Sequence, residues 1–394
     1  MYQVKHAHGF VIMGNLHSKK TPCQSPLRPC GFPCKLYSEP TLIYSPSHGG
    51  LGNTLISLVS FVVLANVTKR KVVLQWDRGV GIGAQASYRD MFTGGAFKTA
   101  MLQGHRCDPH IAPQCILEFT AKRWDHVQRF AKGAVIARLH ACPTVWATGN
   151  AYFAPLLGAP PSLQFGALSH HLFVPKEQLV QAADRFVFEQ TRGHADALIA
   201  LHVRESHLSG KANQTTRKWS FQGTNPWRTS GKFIRCVEKV RSLAHAAGYA
   251  KSRVYIAADQ RGVRERAKQL IGSAVLAPAH CGSSCANGKT ELPNDIGLAP
   301  SRSPAATVLA LKELLVLARS DALLVWNLQY STFSAVAAAW ATHGAGGQKL
   351  PIARPRLGVF LVGRGGNCSR MADRVEPPVY QKPKRSARSR PVTR

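Results

Sequence analysis

A short apolar run that ends in charged residues constrains the fold of this chain more than any other feature. Leu198 to Leu201 are consecutive apolar residues without helical spacing, which is typical of a strand buried on both faces of a parallel sheet. His202 and Arg204 follow at its carboxyl end, where ligands bind in open α/β sheets. The run therefore predicts an α/β fold in which Arg204 meets an anion. An arginine that only pairs with a neighbouring carboxylate is the structural alternative.

An N-terminal stretch shows the same alternation of strand and helix. Thr41 to Tyr44 predicts a strand, and the glycine-rich turn from His48 to Asn53 leads into an apolar helix that ends near Lys69. A second strand, Val72 to Trp76, completes a βαβ unit. The turn presents backbone N–H groups at a helix N-terminus, where an anion is favoured. A tight turn without a ligand is the alternative.

The apolar helix also allows a membrane interpretation. Gly49 to Thr68 contains twenty uncharged residues, which is the length of a bilayer span. Its glycines and asparagines favour instead a helix buried against a sheet. No signal peptide is visible in Met1 to Lys20, so we expect membrane association only through a missing or unrecognised N-terminal anchor.

The alternation resumes after the central run. The pattern predicts helices at 176–191, 233–247, 263–271, 305–319 and 335–342, and strands at 253–257, 274–277 and 322–326. Ser331 and Thr332 lie in the turn before the last helix, where hydroxyl groups commonly cap the helix. They also present donors to a phosphate on the same side of the sheet as Arg204.

The charge of the chain leaves a second class of function open. There are 51 lysines and arginines against 20 acidic residues, a net charge of +31, which suits nucleic acid or another anionic polymer. The basic residues are spread along the sequence, without zinc-knuckle spacing or an alternation with aromatic residues that would stack bases. Because 45% of the 394 residues are hydrophobic, the composition predicts a folded chain of about two or three domains.

The ten cysteines favour a secretory compartment over a metal site. Three pairs are close in sequence: Cys30 with Cys34, Cys107 with Cys115, and Cys281 with Cys285. None has the C-x-x-C spacing of zinc sites, and local disulfides fit them at least as well. Glycosylation sequons occur at Asn66, Asn213 and Asn367. We therefore expect no bound metal and residence in a secretory-pathway lumen.

Several motifs, taken in order, resemble one enzyme family. His202-Val-Arg204 matches the H-x-R motif of fucosyltransferases that use GDP-fucose, and Gly50-Leu-Gly-Asn53 is similar to their N-terminal G-x-G-N turn. Glu313, followed by Ser331-Thr-Phe333, looks like their last motif. This superfamily includes the alpha-1,6 enzymes, the protein O-fucosyltransferases and the plant xyloglucan enzymes. The segments N-A-Y-F-A-P-L-L and H-H-L-F-V-P look closest to the xyloglucan branch.

The resemblance covers roughly residues 44–342 and implies a GT-B fold. In this fold two Rossmann-like α/β domains with parallel sheets face each other across a cleft. The expected parts are an irregular Cys- and Pro-rich lead (1–40), an N-terminal acceptor-side domain (41–191), a C-terminal GDP-sugar-binding domain (192–365) and a basic disordered tail (366–394).

The resemblance also implies roles for individual residues. His202 and Arg204 would hold the GDP phosphates, and Glu313 would bind the guanine. The other implied donor-site residues are Ser331, Thr332 and Phe333 at the β-phosphate end, and Gly50, Gly52 and Asn53 on the facing side. Arg204 and Asn53 are the expected catalytic residues. Two departures from the family pattern affect acceptor choice and activity, because Thr54 replaces a basic residue and the acid after the H-x-R motif is displaced.

The implied reaction moves fucose from GDP-fucose to a hydroxyl of a glycan or glycoprotein acceptor in the Golgi, with inversion and without a cofactor. No D-x-D motif is present to hold a metal ion. Glu205, His207 and Asp259 are candidates for the base that activates the acceptor hydroxyl. The alternatives are a polyanion- or RNA-binding protein on a Rossmann-like scaffold and a degenerate transferase that acts as a binding module. A nucleic-acid partner is not expected from the resemblance.

Overall fold

The structure is a computed structural model that describes residues 39–46, 50–76, 86–93, 115–119, 134–203, 230–258, 267–276, 304–326, 332–343, 356–362, 367–371 and 377. The described residues form two predominantly parallel sheets that are covered by helices. The prediction of an α/β fold with two parallel sheets is therefore confirmed.

The N-terminal sheet contains four parallel strands in the order β2-β1-β4-β3. Its strands are β1 (Thr41–Tyr44), β2 (Lys71–Leu74), β3 (Ile116–Phe119) and β4 (Thr144–Gly149). Its helices are α1 (Leu51–Val67), α2 (Tyr88–Met91) and α3 (Ala134–His140). The predicted βαβ unit is confirmed as β1-α1-β2. In contrast, Ala134 to Ala137, which the sequence presents only as a short apolar piece, begins a helix.

Helix α1 is buried on nearly every side, which explains its uncharged sequence. Asn53, Asn66 and Val67 are its only residues that are not buried. Its serines form hydrogen bonds inside the core: Ser57 Oγ lies 2.6 Å from Tyr44 Oη, and Ser60 Oγ accepts from the Phe153 N–H at 2.9 Å. The described residues contain no helix long and apolar enough to cross a membrane.

The C-terminal sheet contains five strands in the order β6-β5-β7-β8-β9. Its strands are β5 (Ala197–Val203), β6 (Ser252–Ala258), β7 (Ala322–Trp326), β8 (Gly358–Val362) and β9 (Cys368–Arg370). The central run is confirmed as a buried strand, because β5 pairs in parallel with both β6 and β7. Only β9 is antiparallel to its neighbour.

Five longer helices complete the described fold: α4 (Phe165–Leu172), α5 (Glu177–Gln190), α6 (Ser230–Ala246), α7 (Pro304–Arg319) and α8 (Thr332–His343). Helix α7 packs against α5 and α8, and α8 packs in turn against α1 and α4. One hydrophobic cluster therefore runs from β1 and α1 in the N-terminal half to β7, α7 and α8 in the C-terminal half.

Two sequence predictions in the C-terminal half are corrected by the structure. The predicted strand at 274–277 is replaced by a 3-10 turn, Gly272–Ala274, and by a single β-bridge between Val275 and Val254. The predicted disordered tail begins too early, because β9 lies after residue 366 and its Cys368 pairs with Val362. The predicted lead up to residue 38 and the tail after residue 377 lie outside the described residues.

Two disulfides within the described part of the chain join elements that are distant in sequence. Cys115 at the start of β3 is bonded to Cys142 after α3, and Cys236 of α6 is bonded to Cys368 of β9. A local disulfide between Cys107 and Cys115, which the sequence leaves open, is therefore excluded. The other two close pairs, Cys30 with Cys34 and Cys281 with Cys285, lie outside the described residues.

Candidate functional site

The candidate site lies where the carboxyl ends of the two parallel sheets meet. Helix α1 begins after β1, and α8 begins after β7, so each helix directs its N-terminus toward the carboxyl edge of its own sheet. His202 lies at the same edge of the C-terminal sheet, near the end of β5, and is paired with Ala257 and Val325. The structure therefore brings together three of the predicted motifs.

The N-termini of α1 and α8 are in direct contact through Gly52. A Cβ atom at Gly52 would lie 2.7 Å from the Phe333 backbone nitrogen and 2.9 Å from the Thr332 carbonyl carbon. Only a residue without a side chain allows this approach of two backbones. By contrast, a Cβ atom at Gly50 would meet nothing within 4 Å. The two helices are therefore packed backbone to backbone at Gly52, whereas the space beside Gly50 is not filled by other described residues.

The first turns of α1 and α8 contain no acidic side chain that would neutralise the positive end of the helix dipole. Gly50 caps α1 without a side-chain hydrogen bond. The first N–H groups of a helix have no partner within the helix, and the helix dipole favours a negative charge beside them. The half-buried Asn53 adds an amide group in the first turn of α1. This junction therefore suits an anionic group.

His202 is held firmly at this junction. Its side chain is 8% exposed, and its Nδ1 lies 2.6 Å from Ser334 Oγ in the first turn of α8. The ring also contacts Phe333, with a distance of 4.9 Å between the ring centroids. Two of the three residues predicted to contact the β-phosphate, Thr332 and Phe333, thus lie at the N-terminus of α8, where Phe333 contacts His202.

The contact made by Ser334 is absent from the sequence prediction. The predicted helix begins at Ala335, whereas α8 begins at Thr332, so Ser334 lies in the first turn of the helix rather than in the preceding loop. The repeated hydroxyl residues in Ser331-Thr-Phe-Ser are a sequence feature that suggests this role, because hydroxyl groups cluster at helix N-termini.

Glu313, the residue predicted to bind guanine, is buried within a helix. It lies in the second half of α7 and is 4% exposed. Helix α7 packs against α5 and α8, so Glu313 belongs to the helical layer behind the sheet edge. Its contact with guanine stays a prediction.

Several predicted residues lie outside the described residues: Arg204, Glu205, His207, Asp259 and Ser331. In the sequence, Arg204 follows Val203 of β5 and Asp259 follows Ala258 of β6. Val203 and Ala258 are paired in register. Their predicted roles therefore stay predictions. Within the described ranges, no group of three or more His, Cys, Asp or Glu side chains is arranged to hold a metal ion.

Comparisons with known proteins give a result at the level of the fold. No protein-family model and no curated protein sequence match this chain. Among solved structures, FUT1 of Arabidopsis thaliana, as a variant in complex with GDP, matches 87% of this chain and 77% of its own length, with 19% identity and a TM-score of 0.53. The fucosyltransferase NodZ from Bradyrhizobium matches 85% of this chain and 100% of its own, with 13% identity and a TM-score of 0.51. The chain therefore has the GT-B-like fold of these fucosyltransferases, as the motif resemblance predicts.

Proposed function

We propose that this protein is a glycosyltransferase that moves fucose from GDP-fucose to a hydroxyl group of a glycan or glycoprotein acceptor. The observation that carries the proposal is the contact of the α1 and α8 N-termini at Gly52, with His202 beside it. Two helix N-termini that meet at one point suit a diphosphate. The fold supports the same donor, since the similar FUT1 structure is a complex with GDP.

The chemistry of the transfer explains why such a junction would be useful. Breaking the bond between fucose and GDP places negative charge on the β-phosphate, while the sugar becomes oxocarbenium-like. Hydrogen-bond donors that are fixed where this charge develops lower the free energy of the transition state, by roughly 3–4 kcal/mol for a single well-placed donor. The backbone N–H groups of α8, the His202 imidazole and the Arg204 guanidinium would supply these donors, so the reaction proceeds without a metal ion.

The acceptor side of the proposal rests on the sequence. Direct attack by an acceptor hydroxyl would invert the anomeric carbon and requires a base, and Glu205, His207 and Asp259 are its candidates. Asn53, in the first turn of α1, would face the donor from the N-terminal half.

The two disulfides support residence in an oxidising compartment, consistent with a secretory or Golgi lumen. Any membrane association would be through an N-terminal anchor.

Ligand-dependent thermal stability separates this proposal from binding to an anionic polymer. GDP and GDP-fucose should each raise the Tm in a saturable manner, since ligands that bind only the folded state stabilise it. A random oligonucleotide should give a smaller shift that disappears steeply with added salt. Stabilisation by the oligonucleotide alone would instead favour the polyanion- or RNA-binding function. Stabilisation by GDP-fucose without GDP release would favour a degenerate transferase that acts as a binding module.

A further inference from the structure

The contact between His202 and Ser334 links two elements that are far apart in the sequence. Their hydrogen-bonding atoms are 2.6 Å apart, and Ser334 is 1% exposed. His202 is the penultimate residue of β5, and Ser334 is in the first turn of α8. With Phe333 against the ring, the imidazole is restrained both along its edge and across its face.

The Ser334 hydroxyl can either donate a hydrogen bond to Nδ1 of His202 or accept one from it, so the group that Nε2 faces decides between the two tautomers. In a neutral imidazole one nitrogen donates a hydrogen bond and the other accepts, and the partner of one nitrogen fixes the state of the other. If the Ser334 hydroxyl donates to Nδ1, the proton lies on Nε2. The positive end of the α8 dipole disfavours a second proton on the ring, and the first turn of α8 contains no acid that would offset it.

We infer that Ser334 is a positioning residue that holds His202 as a neutral imidazole with its proton on Nε2. This inference rests on the proposed function, because an Nε2–H donor is the form that a phosphate oxygen of the GDP-sugar requires. Ser334 itself does not touch the donor in this scheme. It acts through His202, by fixing the orientation of the ring and the nitrogen that donates.

Nitrogen NMR of the imidazole rings tests the inference without requiring activity. In protein labelled with ¹⁵N-histidine, the His202 signals, assigned with His202→Gln, should show the Nε2–H tautomer. Ser334→Ala should change that pattern to a mixture of tautomers. Ser169→Ala is the matched control, since Ser169 is also a buried helical serine but bonds to Gly166 within α4. Unchanged His202 signals in Ser334→Ala, or an Nδ1–H tautomer in the unmodified protein, would overturn the inference.

Donor turnover provides the second measurement. Ser334→Ala should lower kcat for GDP release from GDP-fucose by about tenfold or more, because small errors in the placement of a catalytic donor are costly. Ser334→Thr, which keeps the hydroxyl, should recover most of the loss, and Ser169→Ala should have little effect. A tautomer change in Ser334→Ala with unchanged kcat would overturn the catalytic role of this contact. Absence of GDP-fucose turnover in the unmodified protein, together with the expected NMR change, would reject the proposed function and leave the positioning contact intact.

Discussion

Asp196 shows how single buried charges hold the start of the central strand. Its carboxylate is fully buried and accepts hydrogen bonds from Arg192 Nε at 2.9 Å and Arg253 Nε at 3.2 Å. The hydrogen bond from Arg192, above all, lowers the pKa of Asp196 below its ordinary value of 3.8. This carboxylate immediately precedes β5, so it fixes the strand that carries His202.

The lowered pKa predicts how stability depends on pH. The ionised carboxylate stabilises the folded state above the ordinary pKa, and this stabilisation is lost as the pH falls through the lower pKa of the folded state. Asp196→Asn should lower the Tm by several degrees near pH 7, since it removes a charge partner of two arginines. The difference in Tm from the unmodified protein should shrink in acid below about pH 4. Thermal melts over a pH series test this, and a pH-independent difference would contradict the role of the carboxylate.

At the scale of single residues, Glu313 also allows a test of how the site selects guanine over other nucleobases. A carboxylate accepts hydrogen bonds from the N1–H and exocyclic amine of guanine, a pair of donors that adenine and uracil lack. Glu313→Gln should therefore weaken GDP binding by about tenfold or more, the amount expected for a charged hydrogen bond. The exposed Glu189→Gln is the control. Equal affinity of the unmodified protein for GDP, ADP and UDP, measured by calorimetry, would exclude the guanine assignment.

At the scale of elements, the joint between α1 and α8 makes the sharpest prediction. Gly52→Ala should displace the N-terminus of α8, since the new Cβ would lie 2.7 Å from a backbone atom of Phe333. We expect GDP affinity to fall by about tenfold or more, because the displaced N–H groups would no longer reach the phosphate, and a hydrogen bond to a charged group is worth about 1.5–3 kcal/mol. Gly50→Ala separates packing from ligand contact, because its Cβ would meet nothing within 4 Å and its φ of −71° suits alanine. The Tm of ligand-free Gly50→Ala should therefore be unchanged, whereas Gly52→Ala should lower it. A GDP affinity of Gly52→Ala equal to that of the unmodified protein would contradict a site at this joint.

The elements that the sequence predicts well are those with long or continuous apolar patterns. Helix α1, strand β5 and helix α7 follow directly from such patterns. Strands β3 and β4 are missed because they are short and partly exposed, with Glu118 inside β3 and an irregular burial pattern in β4. Their pairing with each other and with β1 comes from tertiary contacts, which local periodicity does not encode.

The candidate site is predictable to a similar degree. Motif order predicts that His202, Gly52 and Thr332-Phe333 belong to one site, and parallel strands place such motifs at one edge. The structure brings these residues together, while their roles toward a ligand stay predictions. The contact between Gly52 and Phe333 and the hydrogen bond between His202 and Ser334 join residues more than a hundred positions apart. The disulfide partners Cys115–Cys142 and Cys236–Cys368 are long-range as well. Sequence spacing alone carries no information on such pairings.

At the scale of the whole molecule, one hydrophobic cluster spans the two sheets. The cluster includes Leu55 and Phe61 of α1 together with Leu315 of α7 and Trp340 of α8. Because the halves bury each other's apolar surface, we predict a single cooperative unfolding transition. The boundary between two domains at residue 191 remains a prediction from sequence. Helix α5, which lies before this boundary, packs against α7, which lies after it.

Tryptophans in the two halves provide probes for this prediction. Trp76, after β2, and Trp340, in α8, are both buried. Denaturant titrations of Trp76→Phe and Trp340→Phe, followed by fluorescence, should give midpoints that coincide with the midpoint from far-UV circular dichroism. Two separate transitions would show that the halves unfold independently.

The most direct test of the central claim is GDP release from GDP-fucose, measured with a glycan acceptor mixture and a metal chelator. We predict turnover by the unmodified protein, and a kcat lower by a factor on the order of 10² for Arg204→Lys, since lysine keeps the charge but cannot form two parallel hydrogen bonds to a phosphate. The Tm of the ligand-free variant should stay close to that of the unmodified protein. Folded protein that releases no GDP, or an Arg204→Lys variant as active as the unmodified protein, would contradict the account.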